Sequence, residues 1–134
     1  MKALYSEHFL NEKDSAESVR AASLAALHRR RANRQSTHRI VVLPVVLAEC
    51  VFVLESFYRH PRPDIASALG RLISSPGVEI SEVGVHLNAL HRYRETRAHF
   101  VDCLIAATAV AKNVPVSTFD QDFRKFVDVR VQTE

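Results

Sequence analysis

Phe100-Val-Asp-Cys-Leu-Ile-Ala-Ala-Thr-Ala-Val-Ala-Lys-Asn-Val-Pro-Val-Ser-Thr-Phe-Asp-Gln-Asp-Phe123 is the stretch that decides the fold. Its first half is an apolar helical run that holds one carboxylate, Asp102. Its second half is a short β-type run, Val114 to Ser117, which ends on Thr118-Phe119-Asp120. A carboxylate among apolar neighbours is costly unless something compensates its charge. A metal cation would do so, which makes this stretch a candidate site.

Working outward, the same alternation recurs. Arg39 to Leu43 reads as a buried strand, and Pro44 suits the first turn of the helix after it. That helix runs to about Tyr58 and is apolar nearly all round, so burial is expected. Pro61 and Pro63 mark a loop. A helix over Asp64 to Ile73 turns Ile65, Leu69, Leu72 and Ile73 inward. Pro76-Gly77 leads into a short Val78 to Ile80 segment. Val83, Leu87, Leu90 and Tyr93 give a helical stripe. A helix from about Ala98 to Lys112, the Val114 to Thr118 strand and a short Val129 to Val131 strand complete the pattern. At the N-terminus, Lys2 to Tyr5 is a weak strand signal. Asp14 with Glu17 resembles a capping box, opening a helix to about Arg31. Strands alternating with helices imply a parallel sheet covered on both faces. Ligands bind outside the carboxyl ends of such strands, and Asp120 lies just past one.

The chain has 134 residues, enough for one domain, residues 1–134, with a sizeable core. Its 47% hydrophobic and 25% charged residues are those of a folded globular protein, not a disordered one. No apolar run reaches the roughly 18 to 20 residues that span a bilayer. The longest, Val41 to Leu54, is broken by Pro44 and Glu49. Met1-Lys-Ala-Leu-Tyr-Ser-Glu-His lacks a signal-peptide apolar region, so a cytoplasmic protein is expected. Cys50 and Cys103 match neither a redox pair nor a zinc site and read as small buried hydrophobes. The net charge of +3 and pI of about 9.1 are compatible with a polyanionic partner without requiring one.

Glu49 lies within Val45-Val-Leu-Ala-Glu-Cys-Val-Phe-Val-Leu54, with Val45, Val46, Phe52 and Val53 as its helical neighbours. Asp102 has Ala98, His99, Ile105 and Ala106, so His99 is its only local polar partner. Glu49, Asp102 and Asp120 thus sit on three elements that a parallel α/β fold can bring together. Clustered carboxylates repel unless a cation sits between them, and oxygen ligation favours Mg²⁺ or Mn²⁺. Such an ion activates water and stabilises a phosphoryl oxygen, the chemistry of phosphodiester hydrolysis. Each acid also has a plainer reading. Asp120 after a strand suits a turn or helix cap, and Glu49 or Asp102 can pair with an Arg from elsewhere.

The segments Leu43-Pro-Val-Val-Leu-Ala-Glu-Cys-Val-Phe-Val-Leu54, Phe100-Val-Asp-Cys-Leu-Ile-Ala-Ala107 and Val116-Ser-Thr-Phe-Asp-Gln-Asp-Phe123 resemble three core motifs of the PIN domain. The bacterial VapC-like toxin branch is the most similar, over roughly residues 9 to 134. The resemblance implies a three-layer α/β/α sandwich with a mostly parallel central sheet and a Mg²⁺- or Mn²⁺-dependent endoribonuclease. It implies an acidic site at Glu49, Asp102 and Asp120, with the Thr118 hydroxyl in support and Asp122 as an extra acid. It further implies an RNA substrate, a homodimer and a small antitoxin protein partner.

One departure stands out. PIN domains open with a strand ending in Asp, then a small residue and Asn. Here Met1-Lys-Ala-Leu-Tyr resembles the strand, but Ser6-Glu7-His8 occupies the place of that motif. On a second alignment, Phe9-Leu-Asn-Glu-Lys-Asp resembles the segment several residues past the motif, and the first strand is missing. Both alignments stay open, and on either a principal metal ligand is absent. The rival expectation is therefore a degenerate PIN domain that only binds RNA or a protein. A phosphoacceptor receiver domain lacks its early acidic pair here, and a DNA nuclease of the PIN group is not distinguished by the site chemistry.

Two arginine clusters are candidate phosphate contacts: Arg29, Arg30, Arg31, Arg34 and Arg39, and then Arg92, Arg94 and Arg97. A solvated helix end and loop is the plainer reading of them and is preferred. Tyr93 suits core packing better than base stacking. The seven histidines show no metal-ligand spacing.

Overall fold

The structure, a computed structural model, describes residues 39–132. The expected Lys2 to Tyr5 strand, the helix after Asp14, the Ser6-Glu7-His8 motif and the arginines at 29–34 lie outside them.

The described residues form a mixed α/β fold of parallel strands with helices around them. Strand β1 (Ile40–Val41) leads through Leu43 and Pro44 into helix α1 (Pro44–Phe52), whose proline occupies the first turn as expected. A single wide turn of π-helix follows at Val53–Phe57. Helix α2 (Arg62–Ser74) starts after Pro61. Gly77 takes a φ of 79°, a value that a side chain resists, and turns the chain into β2 (Val78–Glu79). Helices α3 (Val83–Glu95) and α4 (Phe100–Lys112) come next, and Asn113 ends α4 in a left-handed conformation. Strand β3 (Val116–Ser117), a short 3₁₀ turn at Gln121–Lys125 and strand β4 (Val131–Gln132) close the chain.

Among the described residues the strands pair two by two, both times in parallel. Ile40 faces Val78 and Val41 faces Glu79; Val116 faces Val131 and Ser117 faces Gln132. The Ile40 and Val42 N–H groups donate to the Gly77 and Glu79 carbonyls, each at 2.7 Å. The strands are shorter than their apolar runs because only two residues of each run are paired.

The core centres on α3 against α4. The stripe Val83, Leu87, Leu90 and Tyr93 is buried, as its 3.6-residue period requires. On α4, Phe100, Cys103, Ala106 and Ala107 meet it, and the two alanines let the helices approach closely. Tyr93 and Phe100 touch edge to face, 6.0 Å between ring centres. Helix α2 adds Ile65, Leu69 and Ile73, at intervals of four.

Three burial expectations need correction. Helix α1 was expected to be buried all round, yet only Leu47 and Val51 are, while Val45, Val46 and Phe52 are exposed. Leu47 and Val51 are four apart and form one line, the only side of α1 that the described residues cover. Strand β1 was expected to be buried, but Ile40 is 63% and Val41 66% exposed. Leu72 lies beside the inward line of α2 and is exposed as well.

Candidate functional site

Asp102 is in the first turn of α4, where a negative charge is favoured by the helix dipole. It is half-buried, and burial pushes its carboxyl above the usual carboxylate range. Asp120 and Asp122 push in the same direction, while His99 and Lys125 oppose them. The structure therefore brings Asp102, Asp120 and Asp122 within electrostatic reach of one another.

Asp120 is exposed just past β3. Its N–H donates to the Thr118 hydroxyl at 3.0 Å, and its Oδ1 accepts the Asp122 N–H at 2.8 Å. The carboxylate thus caps the 3₁₀ turn at Gln121–Lys125, the plainer of its two readings. Thr118 serves the same turn. Asp122 is exposed and ion-paired with Lys125 at 2.9 Å. Glu49 is on the solvent side of α1 amid Val45, Val46, Phe52 and Val53, all exposed, and is not among the groups that act on Asp102.

Among the described residues, no group of three or more His, Cys, Asp or Glu side chains is placed to hold a metal ion. This overturns the expectation of a Mg²⁺ or Mn²⁺ site at Glu49, Asp102, Asp120 and Asp122. It likewise overturns the expected metal-dependent ribonuclease. The physical reason is dispersal: Glu49 is exposed on α1, Asp120 Oδ1 accepts the Asp122 N–H and the Asp122 carboxylate pairs with Lys125, so the acids do not converge on one point.

The family model described as the PIN domain matches residues 10–129. The chain belongs to the PIN domain family. No curated protein and no solved structure matches it significantly. The family fits the α/β architecture of the described residues.

The second arginine cluster of this PIN domain is not one surface. Arg92 is held by a two-pronged ion pair with Asp128 and donates to Asn88 at 2.7 Å. Arg94 pairs with Glu95 at 3.3 Å. Tyr93 is core. Arg97 and His99 are exposed. Cys103 is fully buried, and burial raises its thiol pKa to about 11. No helix of the described residues is long and apolar enough to cross a membrane.

Sequence reading passes over one surface, the end of the π turn. Phe57, Tyr58, Arg59 and His60 are consecutive and all exposed. Two aromatics, an Arg and a His in an unbroken run before Pro61 is a compositional signal that apolar periodicity does not weigh.

Proposed function

We propose that this chain is a PIN domain that binds RNA without metal-dependent cleavage. The observation that carries the reading is the disposition of the acids within a family fold. Asp102 is half-buried in the first turn of α4, whereas Asp120 caps a turn, Asp122 pairs with Lys125 and Glu49 faces solvent. RNA is favoured as the ligand by the net charge of +3 and by exposed cations such as Arg59 and Arg97. We take residues 1–134 as one such domain and its compartment as the cytoplasm.

Single-stranded RNA, incubated with the protein in Mn²⁺ and separately in EDTA, tests this. The expected result is equal binding in both and intact RNA in both. Mn²⁺-dependent cleavage that Asp102→Asn abolishes would overturn it.

A protein partner is the second reading, favoured by the exposed apolar surface of β1 and α1. Ile40, Val41, Val45, Val46 and Phe52 form an uncovered set among the described residues. A VapC-like chain would cover such a surface by homodimerisation or with a small antitoxin protein. Light scattering after gel filtration checks this: a dimer that Val46→Asp converts to monomer supports it, and a monomeric wild type removes the homodimer.

A further inference from the structure

We infer that the turn Phe57-Tyr58-Arg59-His60 is a stacking platform for unpaired RNA bases. The inference rests on the RNA-binding reading above and names the surface that would carry it.

The rings are presented, not stored. Phe57 is 78% and Tyr58 61% exposed, although aromatic rings of this size normally seek the core. They are ordered relative to one another. Phe57 and Tyr58 are edge to face, 5.2 Å between centres and 77° between planes. Tyr58 and His60 are near-parallel at 25°, with centres 6.2 Å apart. A base has a π-face of its own and stacks on such rings whatever its sequence.

The turn is anchored on both sides. The Tyr58 N–H donates to the Val53 carbonyl at 3.1 Å, closing the π turn, and the His60 N–H donates to the Leu54 carbonyl at 2.9 Å. Two residues on, Arg62 bonds the carbonyls of Tyr93, Thr96 and Ala98 at 3.3, 2.9 and 2.9 Å. The platform therefore projects from a corner of the core that Arg62 ties together. Arg59 within it has a φ of 55°, a left-handed value that glycine adopts more cheaply, yet a cation stands there.

Charge favours a polyanion. Arg59 is exposed and has no ion pair among the described residues. The nearest acid in sequence, Glu55, is already paired with Arg62 at 2.8 Å. The Arg62 bonds to Thr96 and Ala98 also bring the backbone on either side of Arg97, an exposed arginine, to this corner. Aromatic faces between cations are the usual composition of a single-strand surface.

The test is fluorescence anisotropy with a labelled 12-nucleotide single-stranded RNA, in EDTA and low salt. The double variant Phe57→Ala/Tyr58→Ala is expected to bind at least about tenfold more weakly. Tyr58→Phe, which keeps the ring, is expected to bind as wild type does. The chain has no Trp and three Tyr, so RNA should quench tyrosine emission in wild type and not in Tyr58→Phe. This second readout decides the matter if the double variant fails to fold. Equal binding by the wild type and a folded double variant, or quenching unchanged in Tyr58→Phe, overturns the platform and leaves the RNA-binding reading intact. No RNA binding by wild type overturns both. A dimer that only the double variant loses, without RNA binding, would assign the turn to protein association and sink the proposal.

Discussion

The guanidinium of Arg62 lies 4.3 Å from the centre of the Tyr93 ring, thirty-one positions along the chain. From there it donates to the carbonyls of Tyr93, Thr96 and Ala98 and forms the ion pair with Glu55. One side chain thereby ties the π turn, the start of α2 and the α3–α4 connection together. The fork geometry matters, because an ammonium cannot stack on the ring and serve those carbonyls and Glu55 at once.

Arg62→Lys is therefore expected to destabilise the fold by about 1–3 kcal/mol, and Arg62→Ala by somewhat more, since each leaves half-buried acceptors unpaired. Urea unfolding of the variants against wild type checks this. A midpoint shift equivalent to less than about 0.5 kcal/mol for Arg62→Ala would show that water replaces the guanidinium at little cost.

Tyr93 presents the opposite case. Its hydroxyl is buried and makes no hydrogen bond of good geometry, yet it lies within reach of the Glu55 carboxylate; burial first, and then that carboxylate as a charge and an acceptor, hold its pKa well above the usual tyrosine value. A buried polar group without a partner is a cost. Tyr93→Phe keeps the ring under Arg62 and against Phe100 and removes that cost along with a poorly aligned approach to Glu55, which is already paired with Arg62. The expected outcome is unchanged stability or a gain of up to about 1 kcal/mol. A clear loss in the same urea experiment would mean that the hydroxyl has a partner after all.

Legibility in the sequence depends on the range of each interaction. The Val83, Leu87, Leu90 and Tyr93 stripe was legible because helical period is local, and all four residues are buried. Pro44 and the Pro76-Gly77 turn were legible because backbone restriction is local too. The burial of α1 was misjudged for a physical reason: hydropathy says that Val45, Val46 and Phe52 would prefer cover, not that the described residues supply it. At the site, residue type pointed to acids, but their destinations depend on tertiary contacts. Asp120 was open to both a ligand and a cap reading, and its Oδ1 does cap the turn by accepting the Asp122 N–H. The Arg62 anchor and the Arg92–Asp128 pair join residues more than thirty apart and leave no trace in local pattern.

That Arg92–Asp128 pair fixes the segment before β4 to α3. Arg92 also lies 5.6 Å from the centre of the Phe126 ring. The hydrogen bonds from Arg92 hold the Asp128 carboxyl below its usual range, against the opposing effect of partial burial. A lowered folded-state pKa adds stability above the unfolded value of about 3.9, which is lost as pH falls through the folded value. Because Asp128 is about half exposed, solvent screening limits the contribution to roughly 0.5–1 kcal/mol. Asp128→Asn should cost that amount at pH 7 and nothing at a pH below the folded value. Urea midpoints at the two pH values check it, and a cost that does not change with pH would argue against the ion pair.

Asp102 has the reverse sign. Burial first, and then Asp120, raise its folded-state pKa. Its ionised form is therefore penalised in the native state. The penalty is fully present above the folded value and is relieved as pH falls to the unfolded value of about 3.9. Asn mimics the protonated carboxyl, so Asp102→Asn should gain stability relative to wild type between pH 3 and pH 7. The substitution also forfeits the attraction of a carboxylate to the start of α4, about 0.3–1 kcal/mol. The readout is consequently the change with pH and not the absolute sign at one pH. Urea midpoints of both proteins at pH 3 and pH 7 supply it. If the variant instead loses ground to wild type as pH rises, the Asp102 carboxylate is stabilised in the folded chain, and a cation or an arginine must be compensating it.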